Sequence, residues 1–234
     1  MKQSAIDALR AKPVAPQNHL IDGNSVPASS GETMEVVTPI DGSILTSIAR
    51  GTAVDMNRAI ASARKAYDDG RWKNMPPAAR KKIMHKWADL IDANALELAV
   101  LGVRDNGTEI AMAMKAEPGS ASATIRYYAE AIDKIYGEIA PTQNDVLGLV
   151  HREPIGVVGA IIPWNFPLMV ASGARKRFLN RPRQTHTSRM PRCWRRDCRA
   201  VLSTKLNCVS LPVSQKAARA VMRGLASCWL KVKS

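Results

Sequence analysis

The run VVGAII at residues 157–162, closed by PWNFP at residues 163–167, limits what this chain can fold into more than any other stretch. Six residues with no polar side chain among them predict a strand covered on both faces, as in a parallel sheet flanked by helices. Pro163 ends the run, Trp164 and Asn165 fall in a loop, and Pro167 suits the first turn of a following helix. In open α/β sheets ligands bind in the crevice at the carboxyl ends of the strands, so this loop is a candidate site. Asn165 carries two amide N–H donors on a short stem between prolines that restrict the backbone. It can stabilise a developing oxyanion, or it can satisfy the backbone of its own turn.

The chain before this run reads as hairpins followed by helices. Residues 1–18 are polar and contain prolines, as a loose arm or a short helix would. Residues 19–51 alternate short apolar stretches with DG, SSG and DG, residue types that tolerate the positive φ of tight turns. In residues 51–70, Met56, Ala59, Ile60, Ala63 and Tyr67 fall at helical spacing, with Thr52 able to cap the start and Gly70 the end. A second helix is expected to start near Pro77 and run to the DNG break at residues 105–107, turning Ile83, Trp87, Leu90, Ile91, Leu98 and Leu101 inward. SASATIRYYAEAIDKIYG supplies a third helix, ending at Gly137. LGLVHREP then precedes the apolar run. The expected class is α/β with an antiparallel accessory piece.

Charge and cysteine divide the chain at one point. The net charge of +14 would ordinarily suggest a phosphate-rich partner. Residues 1–172, however, hold 18 Lys and Arg against 19 Asp and Glu, and residues 173–234 hold 16 Lys and Arg against Asp197 alone. Cys193, Cys198, Cys208 and Cys228 also all follow Gly173. No apolar run is long enough to span a bilayer, and the N-terminal residues lack the apolar core of a secretory signal, so a cytoplasmic location is expected.

EPIGVVGAIIPWNFPLMV resembles the aldehyde dehydrogenase superfamily, whose cofactor-domain strand ends in the same Pro-Trp-Asn-Phe-Pro loop. The resemblance runs back through RYYAEAIDKIYGEIAP, TPIDGSILTSIARGTAVDMNRAIASARKAYDDGRW and HLIDGNSV, and so spans residues 19–172. Within the superfamily, YYAEAIDKIYGE and IARGTAVDMNRA are most similar to bacterial γ-glutamyl-γ-aminobutyraldehyde dehydrogenases.

The resemblance implies the N-terminal part of that fold, a Rossmann-like cofactor domain with antiparallel accessory strands, incomplete in this chain. It implies oxidation of a small aldehyde to a carboxylic acid with NAD or NADP, by homo-oligomers in the intact family. In that chemistry a cysteine thiolate attacks the aldehyde, an asparagine holds the oxyanion, hydride leaves to the cofactor, and a glutamate activates the water that hydrolyses the thioester. Carried onto this chain, Asn165 is the oxyanion donor, and Ile162, Pro163, Trp164 and Asn165 line the cofactor cleft. Phe166 and Met169 face the aldehyde tunnel or simply fill space.

The resemblance stops between Ser172 and Gly173. The family continues with WKxxPALAxGNxxVxKPSE, whereas this chain continues with GARKRFLNRPRQTHTSRMPRCWRRDCRA. A mixture of Arg, Pro, Cys and Trp without acids or periodicity is what translation in a shifted reading frame would give. Residues 173–234 are therefore expected to be an out-of-frame, irregular tail in which at most AVLSTKLNCVSLPV could pair as strand. AVMRGLASCWLKVKS is similar to the passage that carries the family's general-base glutamate, with Lys231 in the place of that residue; either the frame partly recovers there or the similarity of fifteen residues is chance. No cysteine lies in the Gly-Gln-x-Cys context of the nucleophile, so catalysis is expected to be incomplete. Cys193, Cys198, Cys208 and His186 match no structural zinc spacing. The alternative function, a nucleic-acid-binding protein using the basic tail, predicts an ordered basic face, but Phe178, Trp194 and Trp229 are scattered.

Overall fold

The computed structural model describes residues 2–180, with side chains as far as Gly173. Residues 173–180, expected to begin an irregular tail, instead continue a helix that starts at Pro167; the expectations for the rest of the tail, namely irregularity, a strand near residues 200–213, a zinc site or a basic face, lie outside the described residues.

The N-terminal arm contains a short helix, α1 (Gln3–Ala11), which leads into two hairpins. In the first, β1 (His19–Ile21) pairs with β2 (Asn24–Val26) across Asp22 and Gly23, whose φ values of 51° and 76° give the two-residue turn expected of Asp-Gly. In the second, β3 (Thr33–Val37) pairs with β4 (Ile44–Ala49), with Gly42 at φ 75° in the connection. The third, β5 (Glu138–Ala140) with β6 (Gly148–Val150), comes after the helices. Among the described residues the sheets are three separate antiparallel pairs.

Helix α2 (Ala53–Asp68) starts at a capping box: Asp55 N–H donates to the Thr52 hydroxyl, and the Asp55 carboxylate accepts from Thr52 N–H. Gly70, at φ 73°, follows its C-cap, so both ends lie where Thr52 and Gly70 place them. Its apolar stripe, however, does not reach a core. Ile60 is 48% exposed, Ala63 is exposed and Met56, Ala59 and Tyr67 are half-buried, and none of the five belongs to the buried core.

The long helix expected from Pro77 to the DNG break is two helices, α3 (Pro77–Ala93) and α4 (Ala95–Asn106), divided at Asn94. Asn94 sits at φ −112° and ψ 17°, and its side-chain amide donates to the Leu90 carbonyl at 2.7 Å. A carbonyl that helix continuation would engage is thus taken by a side chain. Gly107, at φ 76°, closes α4. Helix α5 (Ile110–Met114) opens into a π-turn at Lys115–Gly119, then α6 (Ser120–Ala131) follows. Pro118 explains the widening: its ring lacks an N–H and would crowd the carbonyl four residues back, and Ser120 N–H reaches five residues back to Lys115 instead. A short 3₁₀ turn, Ile132–Lys134, ends this arm before Gly137.

The core lies between α3, α4 and α6 and is closed by α7 (Pro167–Asn180). Met84, Ala88, Ile91, Leu98, Leu101, Ala121, Ile125, Ala129 and Leu168 form it, with Trp72, Trp87 and Tyr128 packed at its edge. The inward face of α3 therefore centres on Met84, Ala88 and Ile91, while Ile83, Trp87 and Leu90 flank it half-buried. Side chains such as Ile91 and Ile125, both 0% exposed, contribute roughly 1.5–3 kcal/mol each by burial.

Residues 157–162 do not form the buried strand their composition predicts. From Ile155 to Pro163 no strand is assigned, Val157 and Val158 are half-buried, and Ile161 is 71% exposed. A strand that is apolar on both faces needs neighbours on both edges and a layer on each side, and no described strand lies beside it. Without them, its backbone groups gain nothing over hydration.

Candidate functional site

The segment from Pro154 to Met169 is fixed at three points. At its start, the Tyr67 hydroxyl of α2 donates to the Pro154 carbonyl at 3.3 Å. Lys73 Nζ lies 4.6 Å from the centre of the Tyr67 ring and the Arg64 guanidinium 5.7 Å from it, holding the ring in place by cation–π attraction. Gly156 turns the chain at φ 99°, next to the Arg64 guanidinium.

At the centre, the Asn106 side-chain amide, from the end of α4, donates to the Asn165 carbonyl at 3.1 Å. The Asn106 oxygen accepts from Thr108 N–H at 2.9 Å, which fixes which way its amide faces. At the end, the Glu117 carboxylate, from the π-turn, accepts from Leu168 N–H at 2.9 Å and Met169 N–H at 3.2 Å. Glu117 is 4% exposed. Burial raises its pKa above the ordinary carboxylate range, and the two N–H donors pull against that rise.

The residues singled out from the sequence occupy one loop with different exposures. Trp164 is 76% exposed, Pro163 and Asn165 are exposed, and Ile162, Phe166 and Met169 are half-buried. The loop thus brings Ile162 through Phe166 together at the start of α7, with the Asn165 side chain open to solvent. Sequence reasoning missed the two residues that hold the loop. Asn106 was read as part of a helix break, and Glu117 lay in a stretch assigned no role. A signal for the latter exists in the sequence, since a proline inside a helical stretch, Pro118, perturbs the helix beside it.

A second cluster packs against the start of α2. Asp55 accepts from the backbone and hydroxyl of both Thr52 and Ser29, and His19 Nε2 stands 3.9 Å from its Oδ2. Burial pushes the Asp55 carboxyl up, but the hydrogen bonds from Thr52 and Ser29 outweigh it and bring its pKa down to about 2. This cluster ties a loop to a helix end. Among the described residues no group of His, Cys, Asp and Glu could hold a metal ion, and no helix is long and apolar enough to cross a membrane.

A cradle of helices presenting a Pro-Trp-Asn-Phe-Pro loop at a helix start agrees with what comparison with known proteins finds. Residues 26–176 match the aldehyde dehydrogenase family, and this chain belongs to that family. It is 44% identical over 162 residues to the NADP/NAD-dependent aldehyde dehydrogenase PuuC of Escherichia coli K12, covering 69% of this chain and 33% of that protein. The chain therefore spans about a third of that relative's length. Crystal structures of an indole-3-acetaldehyde dehydrogenase (TM-score 0.73, 38% identity, 78% of this chain and 43% of that one) and of γ-glutamyl-γ-aminobutyraldehyde dehydrogenase from Burkholderia cenocepacia J2315 (TM-score 0.72, 36% identity, 78% and 37%) share its fold. The fold is the N-terminal part of the aldehyde dehydrogenase fold, mixed in helix and strand. An NAD+ complex is known for an indole-3-acetaldehyde dehydrogenase of similar fold.

The loop leaves apolar and aromatic surface open that could hold a cofactor ring. Ile161 and Trp164 offer apolar and aromatic surface, 71% and 76% exposed, to flat rings.

Proposed function

We propose that this chain carries the cofactor wall and the oxyanion donor of an NAD(P)-dependent aldehyde dehydrogenase. The observation that supports it best is the Asn165 loop, anchored by Asn106 on a chain 44% identical to an NADP/NAD-dependent aldehyde dehydrogenase. Ile162, Pro163, Trp164 and Asn165 would hold the cofactor, which when bound supplies the hydride acceptor. Asn165 would donate its amide N–H to the carbonyl oxygen of the aldehyde as negative charge develops there. Phe166 and Met169 would border the aldehyde, and a γ-glutamyl-γ-aminobutyraldehyde-like substrate follows from the likeness to that class.

Within these 234 residues no cysteine stands in a Gly-Gln-x-Cys context, so thioester formation has no assigned nucleophile. We therefore infer that the chain by itself binds cofactor without turning aldehyde over. The family match ends at residue 176, close to where charge and cysteine content change; this supports a reading of residues 1–18 as arm, 19–172 as partial dehydrogenase domain and 173–234 as an out-of-frame tail.

Titrating NAD+ and NADP+ into isotope-labelled chain tests the site: perturbed amide resonances at Ile162, Trp164 and Asn165 are expected. Unperturbed resonances at millimolar cofactor would refute it. NAD+-linked aldehyde oxidation above a buffer blank, lost in Asn165→Ala, would refute the inactivity. The gene sequence tests the tail, since a one-base change near codon 172 should restore WKxxPALAxGNxxVxKPSE.

A further inference from the structure

The start of α7 lacks a cap of its own. Phe166 stands immediately before the first helical residue and has no polar side-chain atom to accept from the first turn. Pro167 has no N–H to satisfy. The next two donors, Leu168 N–H and Met169 N–H, both go to Oε2 of Glu117, and Val170 N–H then makes the first ordinary helical bond, to the Phe166 carbonyl at 3.0 Å. An acid 51 residues away in sequence thus does what a Ser or Asp at position 166 would do locally.

This arrangement is costly. Glu117 is buried, and its Oε1 has no hydrogen-bond partner among the described residues. A half-satisfied buried acid lowers stability compared with a short polar cap, and such violations of local economy gather where position matters more than stability. The helix N-terminus favours the negative charge of Glu117, which further draws the first turn of α7 onto the carboxylate. On the other side of Asn165, Asn106 holds the carbonyl of that same residue, and Thr108 holds Asn106. Asn165 therefore sits between two external clamps, one on its own carbonyl and one on the helix turn that begins two residues later.

We infer that Glu117 and Asn106 are positioning residues for Asn165: together they set where its amide points before any cofactor or aldehyde arrives. The inference rests on the reading of Asn165 as the oxyanion donor, and adds two residues that act through it without touching substrate.

The test uses the full chain, labelled with ¹⁵N, without cofactor. In the unaltered chain the backbone order parameters of Trp164, Asn165 and Phe166 are expected near the rigid value of about 0.85, and in Glu117→Ala and Asn106→Ala below about 0.6. Glu117→Ala is also expected to lower hydrogen-exchange protection at Leu168 and Met169 by about tenfold or more, while Asn106→Ala leaves those two within about threefold. Glu117→Gln keeps an acceptor oxygen and should restore the order. Ile91 and Ile125 amides in the core report on the fold and should be unmoved. Unchanged order at residues 164–166 in both alanine variants would overturn the inference. So would an equal loss of protection at Ile91 and Ile125, which would make the two residues general supports of the fold. Should Glu117→Ala fail to fold, Asn106→Ala and Glu117→Gln carry the same comparison. NAD+ added last separates the two readings, because a rigid loop that ignores the cofactor would sink the cofactor site and leave the clamps standing.

Discussion

Ser29 and Asp55 are joined by three hydrogen bonds across 26 residues: Ser29 N–H donates to Oδ1 at 3.0 Å and Oδ2 at 3.2 Å, and its hydroxyl donates to Oδ2 at 3.0 Å. The same carboxylate completes the capping box of α2 and faces His19. One side chain therefore fastens the loop after β2 to the start of a helix. Asp55→Ala takes the acceptor away from the Ser29 and Thr52 N–H groups and removes half of a capping box, and is expected to cost about 1–3 kcal/mol in urea unfolding followed by circular dichroism. Its pKa is depressed to about 2, so its contribution is complete above the ordinary Asp value of about 3.9 and is lost as pH falls through 2. The stability difference between the unaltered chain and Asp55→Asn should shrink over that window. A constant difference would show that the charge of Asp55 plays no part.

Glu117 carries the opposite sign. Burial raises its pKa, so the folded chain binds the proton more tightly than the unfolded one. The stability from this group is present below the unfolded carboxylate value of about 4.3 and is lost as pH rises through the raised folded value. Denaturant titrations should show the unaltered chain losing stability relative to Glu117→Gln as pH rises beyond the ordinary carboxylate range. A relative gain over the same range would mean that the two N–H donors outweigh burial.

Gly107→Ala is expected to destabilise by about 1–2 kcal/mol, because position 107 needs the left-handed conformation that only glycine adopts freely. A methyl there would also lie 3.2 Å from Pro39 Cγ. Since Asn106 precedes it, the order of the Asn165 loop should fall together with stability. Thermal unfolding within about 1 °C of the unaltered chain would refute this.

Two isoleucines separate core from surface. Ile125→Ala, at a position 0% exposed, should cost about 2–5 kcal/mol. Ile60→Ala, on the open stripe of α2, should change stability by no more than about 0.5 kcal/mol. A large loss at Ile60 would show that the stripe is covered in solution.

The parts of the fold legible in the sequence are those set by local chemistry. Asp22 and Gly23 can take the positive φ their hairpin needs, Thr52 caps α2, and Gly107 ends α4; each depends on a few neighbouring atoms. Asn94 was not legible, because the apolar face runs on through it from Ile91 to Leu98, and the break comes from a side chain competing for a backbone carbonyl. The unformed strand at residues 157–162 has the same lesson inverted, since composition records what a segment would bury but not whether anything stands ready to cover it. Of the site, the loop was legible through Pro163, Asn165 and Pro167, while its clamps were not. Glu117 reaches Leu168 over 51 residues, and no local pattern encodes that approach.

The π-turn at Lys115–Gly119 makes angular phase a property of this site. A π-turn holds one residue more than an α-helical turn, and one residue is worth about 100° of rotation about a helix axis. The buried positions beyond it, Ala121, Ile125 and Ala129, keep a regular stride along α6, and the extra residue is absorbed where Glu117 and Pro118 both turn inward. Substituting Pro118 would return an N–H to the backbone and let the helix tighten, rotating Glu117 away from α7 while every residue that touches it stayed the same. On the proposed reading, the aim of the Asn165 loop is in that sense set by a count of residues per turn, in a helix that holds the start of α7 through Glu117.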